Sequence, residues 1–489
     1  MRNALLLVAI LLAVQGARAG ENGPEGKPPL RPVVEIEEDA YGYEPPQNGA
    51  NPMWCYGSTC LVRIGDDVFA SGLETLPDAK PLNNVRWTLW KRGADGWELQ
   101  QADPEDRTRE PCPLAGCADG RLFLSTNPTL STDPDARAGP ARPEILQLSA
   151  ADPKSEFRTL QPAWEGKPSF TEHSYRSLAA DGPRGEVILF QNVAYSHSEW
   201  AFLGRDGKWA TGKLVWPERA DPKFAPYNST QARVNYPNVL LHDRAVHFCG
   251  ASAFNKWERV QDNPELMGRK WSNRWRRLYY TWTPDVTSGE FRPWVEIASC
   301  HKTGGWLFPG DMCQDRDGRV HLLWMEYPIG KELRDQYFPD IPRITSLKYA
   351  VVADGKVVLR RTLVEGGEGR SGITPDSARF HLTPDERLLV FYYVQGTDPA
   401  GKTVRENRLL EIFPGGEVGE PVVVPMKHPL GGFLAFFTAT VRGGSPPSDV
   451  LDLLGNRAHT PGEPRTGSKY ERHEMTYPNK ISYARIRLR

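Results

Sequence analysis

The side chains that could do chemistry gather in the middle of the chain. They are His173, Tyr175 and Arg176 in the phrase EHSYRSL, His197 in YSHSEW, and Arg233, Asn235 and Tyr236 in RVNYPN. Imidazole changes charge near neutral pH, and a phenol can give or take a proton. A guanidinium grips a carboxylate or sulfate through two parallel hydrogen bonds. Removing a proton from the carbon beside a carboxylate needs a neutraliser for that carboxylate and a base near the carbon, roles these groups can fill. Trp257, Arg274, Trp275, Arg276 and Trp306 follow, and indole rings are flat apolar platforms for pyranose rings. The set suits an acidic sugar polymer. We read His173, His197 and Tyr236 as catalytic candidates, and Arg176, Arg233, Asn235, Trp257, Arg276 and Trp306 as substrate-binding ones. A structural role is the competing explanation, since His and Tyr at strand ends pack their bodies and leave polar tips in water. It applies best to His242, His247, His321 and His381, and less well to His173 and His197, which separate segments deliver to one place.

For these residues to meet, short strands must carry them. Thr171–Pro217 reads as four: His173–Ala180, Glu186–Tyr195, Trp200–Gly204 and Trp209–Trp216, each apolar, aromatic or β-branched and bounded by turn residues. Antiparallel pairing puts the start of the first strand at the same end of the sheet as His197. Strand–turn–strand phrases of this kind begin at Cys60, Cys117, Leu178, Leu240, Cys313, Phe380 and Thr440, at intervals of roughly sixty residues. The expected fold is all-β, a seven-bladed β-propeller, with six or eight blades left open by the less regular first and last units. A pair of β-sandwiches would not repeat one phrase in this way. Val33–Ile36 is expected to pair with the outer edge of the last blade and Ile481–Leu488 to finish it. First-to-second-strand turns are brief, while second-to-third connections such as Asn127–Pro143 and Ala251–Trp275 are long. The long ones share the face where inner strands begin, and elaborated loops on a rigid scaffold are where binding and catalysis collect. Trp209, Trp216, Trp282, Trp294 and Trp324 are expected as wedges between blades.

Composition narrows the setting. Residues 1–19, with the apolar run Ala4–Val14 before Ala17-Arg18-Ala19, read as a secretory signal peptide, 20–48 as an extended lead-in and 49–489 as the propeller. The run is too short to span a bilayer as a helix. A secreted or periplasmic location is expected. A net charge of -1 gives no reason to expect nucleic acid or an anionic membrane as partner. The 45 glycines and 43 prolines favour many short strands and turns. Seven cysteines in an exported chain imply one to three disulfides and a buried thiol, with Cys55/Cys60 and Cys112/Cys117 as the natural candidates. No cofactor is expected, and a structural calcium or zinc ion is compatible with the sequence.

The sevenfold pattern, the phrases EHSYRSL, YSHSEW and RVNYPN, and the closing ISYARIRL together resemble exported bacterial BNR-repeat, sialidase-like proteins. Within that class, Asn51–Arg489 is most similar to the seven-bladed polysaccharide lyases of the ulvan lyase type. The resemblance implies β-elimination on a uronate-containing polysaccharide by two histidines, a tyrosine and an arginine, with His173, His197 and Tyr236 in the first three roles. The sequence departs at the arginine. After Tyr236 the next strand carries His247-Phe248-Cys249-Gly250-Ala251-Ser252, so Arg233 or Arg276 would have to substitute. That departure keeps a non-catalytic carbohydrate-binding propeller as the alternative. A sialidase-like glycoside hydrolase ranks third, because the aspartate-box phrase Ser-x-Asp-x-Gly-x-Thr-Trp does not occur and no carboxylate pair stands out.

Overall fold

The computed structural model describes residues 28–458 and 479–489, apart from 47, 49, 80–82, 106, 134, 137, 195, 218–232, 255–273 and 433. Seven four-stranded antiparallel sheets follow one another along the chain, each in simple meander order except the last. Their inner strands are Leu61–Ile64, Leu114–Gly116, Ser177–Asp181, Arg233–His242, Gly304–Gln314, Ile373–Leu382 and Phe436–Thr438, which we number as blades 1 to 7. The seven-bladed propeller expected from the repeat is therefore the observed fold. A short helix, Lys331–Tyr337, sits in the long connection of blade 5. Among the described residues no helix is long and apolar enough to cross a membrane.

Blade 7 closes the ring. It takes three strands from the end of the chain and its outermost strand, Pro32–Gly42, from the beginning, with Val34 opposite Ile486 and Tyr41 opposite Ile481. The closing strand lies inside the stretch read as lead-in, so the ring begins at Pro32. Strand Lys480–Leu488 is the third of its blade, with the segment Val33–Ile36 paired on its outer edge as expected from the sequence.

Alternation along each strand puts one set of apolar side chains toward each neighbouring blade. Most apolar clusters accordingly lie in the seams. Phe190, Trp200 and Trp216 of blade 3 pack with Val239, Val246 and Phe248 of blade 4, with Trp294 beside them. Trp324 and Trp282 belong to the seam between blades 4 and 5, and Trp209 to that between blades 2 and 3, as wedges should.

The connection between the first two strands of blade 7, Ala439–Asp449, is longer than its counterparts and crosses to where the inner strands converge. Arg442 Nε donates to Asp311 of blade 5 at 3.0 Å and its Nη1 to the carbonyls of Gly57 and Val239 at 2.9 and 3.3 Å. The other Asp311 oxygen accepts from Phe380 N–H of blade 6 at 2.9 Å. Backbone bonds join Ala180 N–H to Arg442 O at 2.9 Å and Gly116 N–H to Gly443 O at 2.8 Å, bringing in blades 3 and 2. Gly444, at φ +85°, makes this possible, since a Cβ there would lie 1.9 Å from the Gly116 oxygen.

The disulfide expectation is not met. All seven cysteines are buried free thiols. The sulfurs of Cys55 and Cys60 are in contact at 3.1 Å, and burial pushes the Cys55 thiol well above its ordinary range.

Candidate active site on the entry face

On the face where inner strands begin, the segments just ahead of blades 2, 3 and 4 meet. His173 precedes the inner strand of blade 3, which starts at Ser177 and not at His173 as its composition implied. Tyr175 has a φ of +43°, in the left-handed region, which interrupts strand pairing, and here the pairing starts only after it. Tyr236 is likewise at φ +39°, where the inner strand of blade 4 bulges between Asn235 and Asn238. Its carbonyl presses against Gly57, where a Cβ would come within 2.0 Å. Two aromatic residues held at positive φ on one face mark local strain that surrounding contacts must enforce.

Those contacts centre on Glu110, a residue ahead of blade 2. Its carboxylate accepts the Tyr236 hydroxyl at 3.0 Å, Arg109 Nη1 at 3.1 Å, and the Ser174 hydroxyl at 2.7 Å. Burial alone would raise this carboxyl, but the charges of Arg109 and Arg176 and the Ser174 hydroxyl outweigh it and hold it below the usual carboxylate range. Burial, and then the charge of Glu110, push the Tyr236 phenol well above its ordinary value, so it stays protonated. Arg109 also donates from Nη1 to His173 Nδ1 at 2.7 Å and from Nη2 to Asn48 O at 3.1 Å. An acceptor Nδ1 leaves the neutral imidazole's hydrogen on Nε2, which lies 3.9 Å from Glu172 Oε1. The His173 ring stacks on Tyr175, centroids 5.6 Å apart, and Tyr175 packs on Tyr236 at 5.0 Å. His173 is the member that opens to solvent, its side chain 34% exposed, whereas Tyr236 is only 2% exposed.

His197 begins the third strand of blade 3 opposite Val193, and Asn192 N–H donates to Ser174 O, so both histidines sit at the same end of that blade. The His197 ring is held at both nitrogens, Nδ1 by Ser196 Oγ at 2.7 Å and Nε2 by the buried carboxylate of Glu199 at 2.9 Å.

The substrate-binding candidates divide. Arg176 is 1% exposed, and its guanidinium donates to Ser174 Oγ at 2.8 Å and to the carbonyls of Pro111 and Ser125 at 2.8 and 3.3 Å. Arg276 is fully buried. Both sit inside the protein, where a substrate cannot meet them, because each guanidinium lies within the blade packing. Trp306 is half-buried on the entry face, its ring parallel to Tyr327 at 3.9 Å. Trp257 and the side chains of Arg233 and Asn235 lie outside the described residues. Among the described residues no cluster of His, Cys, Asp and Glu could hold a metal ion.

Sequence reading missed Arg109 and Glu110. The signal was positional: Glu110 stands as far ahead of the blade 2 inner strand as His173 does ahead of that of blade 3. Aligning blades by strand start would have placed them on the same face.

No family model matches the chain. No curated protein matches it either. Among solved structures, an ulvan lyase in complex with a repeat of glucuronic acid and sulfated rhamnose shares the fold, with a TM-score of 0.50 at 10% identity over 91% of this chain and 95% of that one. An α-L-arabinofuranosidase from Fusarium graminearum gives 0.39 at 10% identity over 88% and 98%, and a Trypanosoma rangeli sialidase 0.37 at 11% over 78% and 55%.

Proposed function

We propose that this is a secreted carbohydrate-active propeller that cleaves a uronate-containing polysaccharide by β-elimination on its entry face. The observation that carries the reading is the hydrogen-bonded chain Arg109–His173 beside Glu110–Tyr236, which joins a neutral imidazole at the surface to a protonated phenol. Arg109 is turned inward and acts through His173, whose Nε2–H is the donor for the uronate carboxylate. That hydrogen bond stabilises the charge that builds on the carboxylate as the proton leaves the adjacent carbon. The proton on that carbon passes to a base, the bond from the next carbon to the glycosidic oxygen breaks, a double bond forms between the two carbons, and the departing oxygen takes up a proton. His197, braced at Nε2 by Glu199, is the base in this scheme through Nδ1, which gives up its Ser196 hydroxyl to take the proton, and Tyr236, turned outward, supplies the proton to the departing oxygen. An ulvan lyase on the same fold agrees with an acidic polymer as substrate class, while the residues carry the argument.

One observation favours a second reading, a carbohydrate-binding propeller without catalysis. Tyr236 is buried and its hydroxyl is bonded to Glu110 from another blade, so it must turn outward to reach a substrate. Incubating the protein with a panel of uronate-containing polymers separates the two. The elimination reading expects rising ultraviolet absorbance from the new conjugated double bond, lost in His197→Ala and Tyr236→Phe. Retained glycan binding with no absorbance change for any polymer selects the binding module.

A further inference from the structure

A second feature of the entry face lies between blades 5 and 6, away from the histidines. Trp306 and Tyr327 are directly opposite one another on the first two strands of blade 5, their rings parallel to within 1° at 3.9 Å. Gly305 sets this up, since a Cβ there would strike the Tyr327 carbonyl at 2.3 Å. The pair forms one wall of a half-open cleft, lined also by Tyr56, Phe308, Asp376 and Ser377, with a volume of about 30 Å³. Tyr56 links it to the first site, its ring 4.6 Å from Phe308 and 5.2 Å from Tyr236. Space of this size takes a water or two, hence one hydroxyl or hydroxymethyl group but no pyranose ring.

The polar lining sets what that group can be. Asp376 Oδ1 accepts its one hydrogen bond among the described residues, from Ser377 N–H at 2.9 Å, and among them no cation pairs with it. Arg379, the cation in the wall, is turned away onto the carbonyls of Phe436 and Gly310 at 3.1 and 2.6 Å. An anionic substituent would meet a carboxyl and no available counter-charge, whereas a hydroxyl can donate to Asp376.

We infer that this cleft is a saccharide subsite for an uncharged pyranose residue, which stacks on the Trp306–Tyr327 pair and drops one hydroxyl-bearing substituent onto Asp376. The inference rests on the glycan reading above, and places a neutral ring beside the uronate that the first site would hold. Removal of water pushes the Asp376 carboxyl up to about 7, so it can donate as well as accept near neutrality. The groups facing it are the Tyr327 and Tyr393 phenols, both raised by burial and neutral in that range.

The test uses the full chain, cellotetraose as the neutral probe and tetragalacturonate as the charged one, with affinity measured by titration calorimetry and each variant's melting checked. Cellotetraose binding should weaken by about tenfold in Asp376→Leu and in Trp306→Ala, and by no more than about threefold in Asp376→Asn, which keeps a donor and an acceptor. Equal affinity in wild type and Asp376→Leu, no binding of cellotetraose by wild type, or preference for tetragalacturonate that depends on Trp306 would each overturn the inference. Cleavage of a uronate polymer is followed separately. Binding that depends on Asp376 without cleavage leaves the subsite standing and removes the lyase reading; cleavage with cellotetraose binding indifferent to Asp376 does the reverse.

Discussion

Two buried charge clusters join the blades, one where the inner strands converge and one on the entry face, and they are finished differently. Around Arg442 and Asp311 the polar atoms run mainly to backbone groups of other blades, and both side chains are almost wholly buried. Around Glu110 the partners are side chains, and the chain of bonds ends at a histidine that meets solvent. Backbone partners cannot be reassigned without moving a strand, so the first cluster fixes geometry. Side-chain partners can turn, and an imidazole at the end of such a chain can exchange a bond for a ligand. A closed polar network reads as scaffold and an open one as a site, even when both hold buried ion pairs.

Substitutions can break this contrast, the largest effect first. Arg442→Met leaves Asp311 buried without its cation and should cost ~3–5 kcal/mol in urea unfolding. A loss below about 1 kcal/mol would mean that the blades converge without it. Glu110→Gln keeps shape and removes charge, and should cost ~1–3 kcal/mol at neutral pH. Its sign with pH is fixed: Glu110 is lowered in the fold, so its contribution is full above the unfolded value of about 4.3 and is lost as pH falls through the folded value. Wild type and variant should therefore converge in acid, and a gap that persists there would assign the loss to packing instead.

Asp376 runs the opposite way. Its carboxyl is raised to about 7, so the stability tied to its protonated form is present below about 4 and lost as pH rises toward 7. Asp376→Asn should match wild type near pH 4 and exceed it by ~1–2 kcal/mol at pH 8, a figure discounted because the residue is only partly buried. Identical melting at both pH values would remove the raised carboxyl. The smallest effect belongs to a cluster contained in one turn, where Asp315 accepts from Arg319 and His321 at 2.8 and 3.1 Å. Burial opposes ionisation there, but His321 and Arg319 hold the Asp315 carboxyl at about 2. Asp315→Asn should cost ~1 kcal/mol or less, a difference lost as pH falls from about 4 to about 2.

The blades were legible in the sequence because alternation and tight turns are local properties that the fold preserves. Strand starts were less so. The segment His173–Arg176 has the aromatic content of a strand, but Tyr175 stands at positive φ with its ring against Tyr236, and pairing starts only at Ser177. The arginines failed for another reason. Arg176 and Arg276 carry the right chemistry in the right neighbourhood, but residue type does not tell whether a guanidinium ends in solvent or on buried carbonyls. Glu110 was invisible for the converse reason, since a carboxylate beside Pro111 reads as a turn residue until Ser174 and Tyr236, far along the chain, arrive to bond it.

The closing strand has a consequence in time. During synthesis Pro32–Gly42 must wait for Lys480–Leu488, on the order of tens of seconds at ordinary elongation rates. Until then it is an open β-edge carrying Val33, Val34 and Ile36, the kind of surface that pairs with the wrong chain. Interleaved with them are Glu35, Glu37, Glu38 and Asp39, whose mutual repulsion would keep waiting edges apart. When the ring shuts, each acid finds a partner: Glu35 takes Arg487, Glu37 the backbone N–H groups of Lys427 and His428, Glu38 Arg92 of blade 1, and Asp39 Lys480. The same carboxylates thus guard the chain against its neighbours while it is unfinished and latch it to itself once complete.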